Sequence, residues 1–149
     1  MRILVLSDNH NKAIDLDFHQ YDLVIHAGDR GNFKDENVKY VRGNCDITGE
    51  KELYFSFNDI FIFVTHGDLY NVKYTFDRLV YRAMELNVRL CIFGHTHNQC
   101  VFEENNIIFL NPGAYKDGFY AVINDDFVEL YNNDFCYKRV RVKWWFKCY

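Results

Sequence analysis

Two histidines, His95 and His97, stand two apart directly behind a short apolar run in the stretch CIFGHTHN. On extended backbone this spacing would aim both rings the same way, because side chains alternate across a strand with period two. Gly94 in front of them lets the chain turn sharply. Imidazole is the commonest protein ligand for a metal, although a histidine pair alone is equally at home in a solvated loop. Five further residues occupy the same kind of place. Asp8, His10, Asp29, Asn44 and His66 each follow an apolar run at its C-terminal end. Two carboxylates, an amide and four imidazoles are all metal-ligand types. Any one of the seven reads as an ordinary turn residue; seven along one rim read as a metal site. Of the other histidines, His26 falls inside an apolar run and reads as a packed, hydrogen-bonded core residue, and His19 as surface.

The elements that must position these residues repeat one plan. Apolar runs over 3–6, 23–25, 38–41, 60–64, 90–93 and 107–110 each stop at a glycine or polar cluster. Short continuous runs of this kind predict strands buried on both faces. In open α/β sheets the functional groups gather beyond the carboxyl ends of the strands. Val72, Phe76, Leu79, Val80, Ala83 and Met84 fall on one face of a helix, with Lys73 and Asp77 on the other side. A strand, that helix and a strand predict a parallel βαβ unit. The two earlier connections have only about ten residues each, near the minimum for a crossover, so any helix there is a turn or two. Beyond Ala114 the runs are broken by Asn-Asp and Asn-Asn turns, which predicts an antiparallel meander. In its last strand Val140, Val142 and Trp144 alternate with Arg139, Arg141 and Lys143, apolar in and basic out. A hairpin with its turn at Asn58-Asp59 is expected earlier. The class is α/β, with two sheets and few helices.

Length and composition set the remaining bounds. The 149 residues fit one domain over 1–149, and a chain of this size buries roughly 68–70% of its unfolded surface. A net charge of −4 gives the bulk surface no reason to bind nucleic acid. Lys138, Arg139, Arg141, Lys143 and Lys147 read as the solvated face of a strand. Cys45, Cys91, Cys100, Cys136 and Cys148 are odd in number and scattered, which argues against a disulfide framework and for a reducing, cytoplasmic compartment. No signal-peptide pattern opens the chain, and no segment nears the ~20 apolar residues of a membrane span, so a soluble protein without membrane partner is expected. The aromatic end, Trp144 to Tyr149, could pack on its own sheet or dock a partner or second subunit, which would make a homo-oligomer.

The motif series D-x-H (Asp8 to His10), G-D (Gly28-Asp29), G-N-C-D (Gly43 to Asp46), T-H-G (Thr65 to Gly67) and G-H-T-H (Gly94 to His97) resembles the calcineurin-like metallophosphoesterases. It is closest to their small bacterial and archaeal phosphodiesterase branch, and the likeness runs from residue 1 to about 125, in family order. The resemblance implies a four-layer α-β-β-α sandwich of two mixed sheets, here with reduced outer helices. It also implies two divalent ions, manganese first, with zinc, iron or nickel as alternatives. By position Asp8, His10 and His97 would hold one ion. Asn44, His66 and His95 would hold the other, and Asp29 would bridge them. Asp29 and Asn44 would thereby be catalytic residues. A hydroxide held between the ions would hydrolyse a small phosphodiester. Asn9 and Cys45 would contact the substrate. Cys45 stands where many phosphomonoesterase relatives have a histidine that can assist the leaving group, and Asp68, Asn71 and Ala114 also depart from the branch pattern. An interaction module on the same fold, without catalysis, is the alternative.

Overall fold

The computed structural model describes residues 1–145. Eleven strands and one α-helix are formed there: β1 (Arg2–Leu6), β2 (Leu23–His26), β3 (Val38–Tyr40), β4 (Glu52–Phe57), β5 (Ile60–Thr65), α1 (Asp77–Leu86), β6 (Leu90–Ile92), β7 (Cys100–Glu104), β8 (Ile107–Asn111), β9 (Phe119–Asn124), β10 (Phe127–Asn132) and β11 (Phe135–Arg141). They build two mixed sheets, of order β11-β10-β9-β1-β2-β3 and β4-β5-β6-β8-β7. In the first, β1, β2 and β3 are parallel while β9, β10 and β11 form the expected antiparallel meander. In the second, β5, β6 and β8 are parallel and the edges are antiparallel. All six apolar runs are therefore strands, and those that carry the candidate residues are the parallel ones.

Both sheets bury two faces, which is why their runs lack alternation. Ile3, Val5, Leu23 and Ile25 of the first sheet share a core with Ile62, Val64, Leu90, Ile92 and Leu110 of the second. The outer face of the second sheet packs Phe63, Cys91, Phe93 and Phe109 against Leu79, Val80 and Ala83 of α1. Over the first sheet the outer layer is thin. Leu4, Leu6, Val24 and Val122 are covered by Ile14, Leu16, Phe18 and Tyr21 of the β1–β2 connection, whose only helix is a 3-10 turn at Phe18–Gln20.

The helix is shorter than the periodicity predicts. Asn71 adopts a left-handed φ of 59°, which breaks a helix, so Val72 and Phe76 precede α1, and Lys73 lies outside it. Val72 is still buried, but Met84 is 45% exposed because the sheet meets only the Leu79–Val80–Ala83 face. Asn58 and Asp59, with φ of 49° and 62°, make the two-residue hairpin between β4 and β5. β11 ends at Arg141, short of the Trp144 that the alternation predicts, and Val140 is only half-buried. Lys138, Arg139, Arg141 and Lys143 are nevertheless exposed while Val142 and Trp144 are buried. Trp144 seals the inter-sheet core and donates its indole N–H to the Asp125 carbonyl at 2.7 Å. Trp145 is exposed; Lys147, Cys148 and the rest of the tail lie outside the described residues.

Candidate metal centre

The parallel strands of both sheets end at one rim, and the loops that leave them are tied to one another. Asp8 N–H donates to Gly28 O at 2.9 Å, His10 N–H to Asp29 O at 3.1 Å, and Gly94 N–H to His66 O at 3.0 Å. These bonds bring Asp8 and His10 (after β1), Asp29 (after β2), Asn44 (after β3), His66 (after β5) and His95 with His97 (after β6) together. Asp8, His10 and His97 each offer a ligand atom within 4.8 Å of the others, as do Asp8, Asp29 and His66. His10 Nε2 lies 3.3 Å from His97 Nε2 and 3.7 Å from Asp29 Oδ2, and His97 Nε2 is 3.2 Å from Asp8 Oδ1. On the other side His66 Nε2 is 3.2 Å from Asp29 Oδ2. The His66 and His95 rings are 5.1 Å apart, and His95 Nδ1 is 3.1 Å from Asn44 Oδ1.

The backbone is not the extended one that the His-x-His spacing suggested. His95 and His97 have φ of 69° and 62°, and Asp8, His10 and Asp29 have φ of 53°, 44° and 57°. Left-handed conformations of non-glycine residues cost of order 1–3 kcal/mol each and gather at functional sites. Here they follow from the strand ends: beyond Ile92 the loop's amides turn to the neighbouring loops, His95 N–H reaching Asp8 Oδ2 at 3.1 Å. Gly94 is needed for a different reason than turning. A Cβ there would lie 2.1 Å from Ser7 Oγ and 2.7 Å from Asp8 Oδ2.

Two carboxylates face the centre from the interior, Asp8 at 0% and Asp29 at 3% exposure. Asp8 Oδ2 accepts from Ser7 Oγ at 2.6 Å, yet the buried Oδ1 has no partner, and neither has His66 Nε2. Orphaned buried groups of this kind are costly unless a cation satisfies them. His66 is oriented for one: its Nδ1 donates to Ala27 O at 2.7 Å, which turns the Nε2 lone pair toward both carboxylates. Burial opposes a charged His66, but the neighbouring carboxylates of Asp29 and Asp8 prevail and raise its pKa. Burial likewise opposes ionised Asp29, and His66 together with the Cys45 amide and His10 overcomes it, holding the carboxyl well below the usual range. His95, half-buried and beside His66, is shifted down.

The supporting residues were less legible. Asp46, whose role the sequence left open, accepts from the amides of Asp29 (2.8 Å), Arg30 (3.0 Å) and Gly43 (2.9 Å) and so pins the β2 and β3 loops together. Its position in G-N-C-D was the available signal. Asn9 does not fit the substrate-side place expected of it. It is 1% exposed, its Oδ1 accepts from His26 Nε2 at 2.8 Å, and its Nδ2 donates to Lys12 O at 3.0 Å. His26 is the hydrogen-bonded core residue expected, its Nδ1 accepting from Gly28 N–H at 3.0 Å, and so braces the turns that carry Asp8 and Asp29. His19 is exposed. Cys45 is exposed at the rim, its thiol pushed up by burial and by Asp29.

Burial, with the neighbouring His66 and Arg30, pushes His26 down from 6.5 to about 3. Between those values the unfolded chain binds a proton that the folded chain refuses, so stability falls as the pH drops through this window. From pH 6.5 to pH 5 the His26 contribution falls by about 2 kcal/mol. Urea unfolding of chelator-stripped protein at both pH values should show this loss, and His26→Gln should lose markedly less.

Residues 1–122 match the calcineurin-like phosphoesterase superfamily domain, and the chain belongs to that family of metal-dependent phosphoesterases. It is 32% identical to the probable metallophosphoesterase YsnB of Bacillus subtilis, over 78% of this chain and 76% of that protein. The crystal structure of a conserved uncharacterized protein of Streptococcus pneumoniae, described there as a predicted phosphoesterase, superposes with a TM-score of 0.81 at 27% identity. That match covers 94% of this chain and 97% of the other. Vps29 of Entamoeba histolytica, in complex with zinc, shares the fold, with a TM-score of 0.73 at 19% identity over 95% and 99% of the two chains. No helix among the described residues is long and apolar enough to cross a membrane.

Proposed function

We propose that the chain, a single domain, is a phosphodiesterase with a dinuclear metal centre, manganese being the first candidate, acting in the cytoplasm on a small phosphodiester. The observation that carries this reading is the pair of buried carboxylates around the orphaned Asp8 Oδ1 and His66 Nε2. Asp8, His10 and His97 would hold one ion, Asn44, His66 and His95 the other, with Asp29 shared. Oxygen and nitrogen donors without thiolate suit manganese, iron or zinc in an open site. Two such ions supply a water of lowered pKa and a clamp for the phosphoryl oxygens.

The chain's own residues do the rest. Ala27 O and the Cys45 amide, 2.8 Å from Asp29 Oδ1, fix His66 and Asp29 in their orientations before any ligand arrives. Preorganisation of this kind spares reorganisation at the reacting centre. Cys45 stands where many phosphomonoesterase relatives carry a histidine, and its raised thiol is a weak acid for a departing oxygen. Substrates with good leaving groups, phosphodiesters among them, fit that. Cys45→Ala should lower kcat by less than about tenfold, below the 10²–10⁴-fold of general-acid catalysis. An interaction module has no need of the complete donor set or of two carboxylates buried against each other.

Hydrolysis of bis(p-nitrophenyl) phosphate by chelator-stripped protein, with and without manganese, tests the reading. Turnover that appears only with metal supports it. Silence with manganese, zinc, nickel and cobalt alike would move the chain to the interaction module.

A further inference from the structure

Beside the centre, a cavity of about 550 Å³ opens between the loops that follow β1, β2 and β3. Cys45 lines it and joins it to the centre, since its Sγ lies within 4.8 Å of ligand atoms of His10 and Asp29. Arg30, also in the lining, is 2% exposed. Its guanidinium donates to Phe33 O at 3.0 Å, Thr48 O at 2.8 Å and Thr48 Oγ1 at 3.1 Å, and lies 4.3 Å from the centroid of the Tyr40 ring. Every one of these partners is neutral. Its guanidinium hydrogen bonds thus go to no carboxylate among the described residues, and its buried Nε has no partner at all.

A buried guanidinium without a counter-ion is costly, and its field is weakly screened. Lys34 adds a second positive charge to the same wall and is exposed. The wall's carboxylate, Asp46, is held by three backbone amides and offsets one of these two positive charges, which leaves the lining net cationic. Asn11 accepts from the Asn32 amide at 2.9 Å through Oδ1, which leaves its NH₂ to donate. Ile47, 90% exposed, adds apolar surface at the lip. Cationic charge, a free amide donor and an apolar edge suit the non-scissile end of an anionic organic substrate.

We propose that this cavity is a second anion subsite, so that the substrate is a phosphodiester whose alcohol portion carries a further phosphate. Resting on the phosphodiesterase reading for what occupies the metal centre, it places the second phosphate against Lys34 and in the field of Arg30.

Calorimetric titration of manganese-loaded protein with thymidine 3′,5′-bisphosphate and with thymidine 5′-monophosphate tests this without turnover. The bisphosphate should bind about fivefold more tightly, the size of one partly exposed ion pair. Lys34→Glu should collapse that ratio to near one, whereas charge reversal at Lys138, on the edge strand β11, should leave it intact. A ratio of one in the wild type, or a ratio unchanged by Lys34→Glu, would overturn the subsite. Loss of the diesterase reading shows elsewhere: no metal-dependent hydrolysis, with the bisphosphate preference and its dependence on Lys34 still present.

Discussion

Asp29→Asn should abolish metal-dependent phosphoester hydrolysis while the protein still folds. Asparagine keeps an Oδ1 able to accept the Cys45 amide, now at 2.8 Å, so the loop geometry has no reason to change. What disappears is the charge at Oδ2, the atom 3.2 Å from His66 Nε2 and 3.7 Å from His10 Nε2. Loss of a partner that merely orients a ligand already costs 10–100-fold in affinity or activity, so loss of the shared carboxylate should cost at least on the order of 10²-fold. Steady-state kinetics at saturating manganese, beside a melting curve that stays cooperative, checks both halves. Ordinary turnover by the metal-loaded variant would sink the bridging role of Asp29.

Gly94→Ala should damage both the fold and the metal centre. Its Cβ would meet Ser7 Oγ at 2.1 Å and Asp8 Oδ2 at 2.7 Å, and both residues are fully buried. Gly94 cannot retreat easily, because its N–H is held by His66 O and its carbonyl accepts from Asn111 Nδ2 at 3.2 Å. Overpacking of this kind costs about 1–3 kcal/mol. Displacing Asp8 should also weaken metal binding by roughly 10–100-fold. A Ser7→Ala background removes the nearer of the two clashes. The double variant should therefore regain part of the stability, a coupling that a double-mutant cycle in urea measures directly. Independent, additive losses would contradict the close approach.

The parallel strands were legible because a run buried on both faces needs no partner to be recognised. Each one here ends within a residue of its last apolar residue, whereas the half-exposed edge strand β7 carried no such run. The same rule put Asp8, Asp29, His66 and His95 at one rim. Features that depend on distant chain were not legible. Gly94 looked like a turn residue, yet its requirement comes from Ser7, which only the folding of one sheet against the other brings near. The left-handed backbone of His95 goes with an amide given to the Asp8 loop, which the His-x-His spacing does not reveal. Asn9 looked like a substrate contact because it lies between Asp8 and His10. Its amide is instead spent on His26, whose burial the sequence did show. The helix was overdrawn by the part before Asp77, since Asn71 and the 3-10 turn at Asp68–Tyr70 interrupt a pattern that hydrophobic spacing alone continues.

The most direct test of the account is the manganese stoichiometry of chelator-stripped protein, read by calorimetric titration and by elemental analysis after desalting. Two ions per chain are expected, with diesterase activity rising as the second site fills and with the Asp29→Asn variant unable to retain both. A single ion per chain with full activity, or no retained ion at all, would contradict a dinuclear centre built on Asp8, Asp29 and the four rim histidines.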